Sequence, residues 1–164
     1  MRLTKTFTLQ EFTRSNTALR LGLSNKPTKE GIIKLRLLAT FLQTIRDRLG
    51  ALRITSGYRS PALSQAIGSS ANSQHCRYEA VDLQYVKRGK MDNLRIYQTI
   101  VDLDLDFDQI ILEFGDSTEY NDPMRPAWIH LSWKVSDNRR QVLVAYKDEN
   151  NKTKYRPLIE YKSL

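Results

Sequence analysis

The 164-residue sequence predicts an α+β fold, a small antiparallel sheet with helices packed against it. Three observations carry that expectation. A long amphipathic helical pattern lies early in the chain, short segments that alternate apolar and polar residues lie late, and no repeat, low-complexity run or linker divides the two. One domain spanning 1–164 follows, since a chain of this length buries most of its apolar surface without disulfide or metal staples.

The elements follow in order. "FTLQEFTRSNTALRLGLSN" reads as a brief helix seated on the core through Phe7, Leu9 and Phe12, and Asn25, Lys26 and Pro27 interrupt it. Thr28 is a good N-cap for a helix whose Ile32, Leu35, Leu38, Leu42, Ile45 and Leu49 recur at helical spacing until Gly50. "LRITSGYRS" (52–60) predicts a strand running into a glycine turn, and Ser60-Pro61 opens a short helix. After a small-residue loop at 68–72, "EAVDLQYV" alternates Val81, Leu83 and Tyr85 against Asp82 and Gln84, so Asp82 faces away from the apolar side. Asp92 is placed to cap a second amphipathic helix, "NLRIYQTIVDL", and "DQIILEFG" (108–115) predicts an apolar strand. "DSTEYNDPMRP" reads as a loop. In "WIHLSWK", Trp128, His130 and Ser132 share one face and Ile129, Leu131 and Trp133 the other, while "SDNRR" predicts a hairpin turn into "QVLVAYK". "KDENNKTKYRPL" reads as a second hairpin or a mobile tail.

Composition narrows the function classes. Hydrophobic residues at 40% and charged residues at 27% exclude a globally disordered chain. No apolar run reaches the roughly 18–20 residues of a membrane span, and "MRLTKTFTLQEFTRSN" lacks the apolar core of a signal peptide, so the expectation is a product made in the cytoplasm. Cys76 is the single cysteine, which rules out an intrachain disulfide. The net charge of +8 favours anionic partners such as a bacterial wall polymer, acidic lipid or nucleic acid, or serves solubility alone. It is spread along the chain, so no specific nucleic-acid site is expected. Nothing in the pattern specifies an oligomeric state.

The two histidines hold the chemistry. His75 lies in a loop before a strand, Asp82 on that strand and His130 on a later one, so neighbouring strands can bring them together. Catalytic zinc takes His nitrogens and carboxylate oxygens from three protein ligands and keeps one position open for water. By spacing alone, a loop histidine and a satisfied strand histidine explain the pattern as well as a Zn2+ site does. Cys76, adjacent to His75, reads as an idle thiol, since neighbouring residues rarely ligate one ion.

The wording of "ITSGYRSPALSQAIGSSANSQHCRYEAVDL" and "WIHLSW", with "FTLQEFTRSNTALRLGLSN" at the start, resembles the M15 family of zinc peptidases, in particular its D-alanyl-D-alanine carboxypeptidase-like branch in phages and bacteria. The family pattern Ser-x-His, six residues, then Asp matches Ser73, His75 and Asp82, and Trp-x-His matches Trp128 and His130. The resemblance implies a fold shared with Hedgehog signalling domains and one zinc on His75, Asp82 and His130. It also implies cleavage of peptidoglycan stem peptides, at a D-Ala-D-Ala or an L-Ala-D-Glu bond. Arg59 matches the family arginine that holds a substrate carboxylate or the oxyanion, with a structural ion pair as its other reading. Ser73 is read as contacting substrate or capping the loop, and Trp128 as core packing. A phage lysis enzyme or virion-associated wall-degrading component fits a chain without a signal peptide.

Two departures from the family pattern stand out. Tyr78 replaces a glycine between His75 and Asp82, where a left-handed backbone would cost a bulky residue about 1–2 kcal/mol. Ala127 occupies the place of an acidic residue three positions before His130. Strand alternation offers Glu113 as the general base in its stead, with Glu79 second. The rival reading is a zinc-stabilised binding or structural domain without turnover.

Overall fold

The computed structural model describes residues 1–115 and 124–158. The N-terminal region forms two short helices rather than one, α1 (Leu9–Thr13) and α2 (Asn16–Leu21). Glu11 accepts the Thr8 N–H at 2.7 Å and Ser15 accepts the Ala18 N–H at 3.1 Å, so each helix has its own N-terminal cap. Phe7 and Phe12 are fully buried and meet edge to face, and Leu9 packs against the same core. α3 (Lys29–Leu49) starts at the expected cap, with Thr28 Oγ1 accepting the Gly31 N–H at 2.9 Å. Its Leu35, Leu38, Leu42 and Ile45 are buried, as their spacing requires.

Seven strands follow among the described residues: β1 (Leu52–Ser56), β2 (Ala80–Lys87), β3 (Lys90–Met91), β4 (Gln109–Gly115), β5 (Pro126–Ser132), β6 (Gln141–Lys147) and β7 (Thr153–Pro157). Between them lie α4 (Pro61–Ala66), capped by Ser60 as predicted, and α5 (Leu94–Asp102). The sheet order is β1-β2-β5-β4-β6-β7, with β3 paired to β2. The architecture is α+β.

Two local expectations are corrected. β6 does not form a hairpin with β5; it runs parallel to β4, because β5 already has β2 on one edge and β4 on the other, and the outer edge of β4 is the free one. The sheet is otherwise antiparallel. Asp92 does not cap α5. The residue before that helix is Asn93, and its buried amide is used across the sheet, accepting the Tyr85 N–H and donating to the carbonyls of Pro126 and Ala127. The C-terminal stretch forms the β6–β7 hairpin, while most of the "DSTEYNDPMRP" loop lies outside the described residues. No helix among the described residues is long and apolar enough to cross a membrane.

One face of the sheet packs on α3 and α5 through Val81, Leu83, Ile110, Leu112, Ile129, Leu131 and Val144. The other face carries Asp82, His130, Ser132 and Glu113, placed there by strand alternation and by the register Asp82↔His130, Ile111↔His130 and Glu113↔Trp128. β1 is irregular between Ile54 and Ser56, where an extra residue in the register brings Ser56 opposite Asp82.

Tyr78 adopts the left-handed conformation, with φ of 65°. Its ring stacks on Tyr58 at 4.3 Å, and its hydroxyl accepts the Thr28 N–H at the start of α3. The ring occupies the space beside Gly31, where a methyl group would overlap it. Gly31→Ala is therefore expected to destabilise the protein by about 1–3 kcal/mol, despite the better helix propensity of alanine. Denaturant unfolding of Gly31→Ala with and without Tyr78→Gly checks this, since removing the ring should cancel the steric part.

Candidate metal centre

Asp82 is the hub. Its Oδ2 accepts from Arg59 Nη2 at 2.8 Å, while its Oδ1 lies 3.1 Å from His130 Nδ1 and 3.4 Å from His75 Nε2. The ligand atoms that His75, Asp82 and His130 offer all lie within 4.8 Å of one another, and all three residues are buried. The loop, β2 and β5 thus bring together the three residues the sequence singled out.

Each imidazole is oriented by a second partner. His75 Nδ1 lies 2.7 Å from the Gly57 carbonyl, which can only accept, so Nδ1 carries the hydrogen and Nε2 turns toward Asp82. Gly57 must be glycine here: a Cβ would strike the backbone of Phe12, whose carbonyl receives the Tyr58 N–H at 2.7 Å. His130 Nε2 lies 3.1 Å from Gln74 Oε1. The Gln74 amide has one possible orientation, because its Nε2 donates to the carboxylate of Asp108 at 2.8 Å and to Ser132 Oγ at 2.9 Å. Asp108 is buried and ion-paired with Arg139 at 2.6 Å and Lys134 at 3.1 Å. Burial opposes its ionisation, but hydrogen bonds from Arg139 and Lys134 outweigh that and hold its carboxyl well below the usual range.

With Nδ1 of His75 and Nε2 of His130 bound elsewhere, the remaining ring nitrogens and Asp82 Oδ1 converge as three lone-pair donors. Such donors repel one another unless a proton or a cation lies among them. Two imidazoles and a carboxylate are a suitable donor set for zinc, and a backbone or side-chain acceptor on each far nitrogen is the usual means of orienting metal-binding histidines. With a proton rather than a cation among them, burial pushes Asp82 toward protonation, yet hydrogen bonds and charges from His130 and His75 keep it well below its ordinary value.

Glu113 lies on the same open face, diagonal to His130 through the Glu113↔Trp128 register, and its carboxyl group has no hydrogen-bond partner among the described residues. Burial pushes its carboxyl up to about 7; Asp82 adds to that, while His130, Arg59 and Lys147 oppose it. Position 127 belongs to the other side of β5, so the regular strand turns Ala127 away from His130. Glu79 ion-pairs with Arg77 at 2.9 Å.

The other sequence candidates divide. Arg59 lies beside Asp82, with Nε donating to Ser56 Oγ at 2.9 Å. Ser73 Oγ accepts the His75 N–H at 3.3 Å and so braces the loop that presents the ring. Cys76 Sγ is 3.9 Å from the Ser70 carbonyl and is not part of the cluster. Trp128, expected in the core, instead stands half-buried on the open face, tilted against Phe114. Gln74, Asp108 and Gly57 were missed. The available signals were an acid at the mouth of an otherwise apolar strand and an amide between Ser73 and His75.

Gln74→Leu is expected to weaken zinc binding by about 10–100-fold, because it removes the acceptor that fixes the His130 ring. Competition against a fluorescent chelator measures it.

A family model described as Peptidase M15 matches residues 5–120, a span that includes Arg59, Ser73, His75, Asp82 and Glu113 and stops short of His130. No curated protein matches the chain. With the match covering most of the sequence, the chain belongs to the peptidase M15 family.

Proposed function

We propose that this protein is a zinc-dependent peptidase that hydrolyses an amide bond in the stem peptides of bacterial peptidoglycan. The observation that carries the reading is the convergence of His75, Asp82 and His130, with both rings held by outer partners, in a chain of the M15 family.

A zinc ion held by these residues supplies Lewis acidity, lowering the pKa of a water toward ~7 and polarising the scissile carbonyl. The protein does the rest. Glu113 takes the proton from the attacking water and returns it to the leaving amine nitrogen; a carboxyl raised to about 7 is suited to both transfers. Arg59 holds Asp82 in place and turns its remaining N–H donors toward the oxyanion. The Ser73 hydroxyl, accepting from His75, keeps its own proton for the substrate backbone.

The +8 charge favours approach to an anionic wall. A phage lysis or virion-associated role accommodates both the chemistry and the charge. Incubating zinc-loaded protein with purified peptidoglycan, beside His75→Ala, and analysing the products by mass spectrometry tests the proposal. Expected is release of fragments cut at a D-Ala-D-Ala or L-Ala-D-Glu bond by the wild type alone. Stoichiometric zinc with no cleavage would replace this reading by the non-catalytic binding domain.

A further inference from the structure

Arg59 is already engaged at two of its nitrogens, Nε on Ser56 Oγ and Nη2 on Asp82 Oδ2. The N–H donors left on Nη1 and Nη2 are the ones assigned above to the oxyanion, so they are not spare for a second anionic group. A second anionic group on the substrate calls for another cation, and the neighbouring cleft supplies two.

This cleft, about 510 Å³, lies beside the centre between β1, the α1–α2 junction and α4, and shares Ser56 and Arg59 with it. Arg14 and Arg53 line it, and among the described residues no acidic side chain does. Arg53 stands opposite Gln84, two residues along β2 from Asp82 and therefore on the same face of the sheet. Both guanidiniums are exposed, and neither has an ion pair or hydrogen bond from its side chain among the described residues. Tyr58, Leu63 and Ile67 add an apolar wall. Two arginines beside an apolar wall, with no carboxylate among the described residues to neutralise them, suit a ligand with a carboxylate on a short aliphatic arm.

We propose that this cleft is the anion subsite of the same centre: Arg14 and Arg53 bind a peptide carboxylate remote from the scissile amide, and Tyr58, Leu63 and Ile67 cover the carbons that carry it. The inference rests on the peptidase reading above and adds a substrate class to it, peptides with a free carboxylate away from the cut bond.

The test uses two synthetic stem-type peptides, identical except that one carries the carboxylate and the other a carboxamide. Calorimetric binding and hydrolysis are measured for zinc-loaded wild type, Arg14→Ala, Arg53→Ala and the double variant. The wild type should prefer the acid by about tenfold, and the double variant should lose most of that preference. Both arginines are exposed, so zinc stoichiometry and melting temperature confirm that the variants are folded. Equal binding of the two peptides by the wild type, or a preference that survives in the double variant, overturns the subsite. The binding arm does not need turnover. An arginine-dependent preference without hydrolysis supports the subsite and overturns the peptidase reading; hydrolysis without preference overturns the subsite alone.

Discussion

Glu113→Gln is expected to leave zinc bound and to lower hydrolysis by about 10²–10⁴-fold, the usual range for removing a general acid–base. The same change should stabilise the metal-free protein in mildly basic solution. Glu113 is raised from 4.5 to about 7 by burial, so between those values the folded state holds a proton that the unfolded state has released. Stability therefore falls as pH rises through that window, and above pH 7 the native protein carries a buried carboxylate at a cost. Glutamine removes the cost. Denaturant titrations of metal-free protein should show the variant more stable by about 1–3 kcal/mol at pH 8 and equal to wild type at pH 4. A variant that loses activity without this pH-dependent gain would place Glu113 outside the buried site described above.

Asp82→Ala should have the largest combined effect. It removes one of three ligands and leaves Arg59, His75 and His130 facing a gap, so zinc affinity is expected to fall by more than about 100-fold. Breaking a largely buried pair at one partner destabilises by several kcal/mol; with Arg59 and Asp82 slightly exposed, about 2–4 kcal/mol is expected for the metal-free protein at pH 7. The sign with pH is opposite to that of Glu113. Asp82 is depressed below its unfolded value, so its contribution is complete above about pH 4 and is lost as pH falls toward the folded pKa. The gap between variant and wild type should close in acid. Chelator competition and unfolding at several pH values measure the two effects separately.

Much of the centre was legible because it depends on alternation. Period-two patterning put Asp82 on the polar side of β2 and His130 with Ser132 on one side of β5, and antiparallel pairing then set Asp82 beside His130. Glu113 was reachable by the same logic. What the sequence hid depends on contacts between segments distant in the chain. The Gly57 carbonyl meets His75 just past the irregular end of β1, where Gly57 lies against Phe12, and the Gln74 amide is oriented by Asp108, 34 residues away. The parallel β4–β6 pair was hidden for a related reason: "SDNRR" resembles a hairpin turn locally, and only the occupied edges of β5 forbid it. Tyr78 shows the reverse case, a residue that strains its own backbone and is accommodated by the empty side of Gly31.

X-ray absorption at the zinc edge, on protein loaded with one equivalent, reads the ligand set itself. Expected are two imidazole nitrogens and carboxylate oxygen at about 2.0–2.2 Å, with one imidazole lost in His75→Ala. A sulfur shell near about 2.3 Å, which would bring in Cys76, or a zinc spectrum unaltered in His75→Ala, would contradict it.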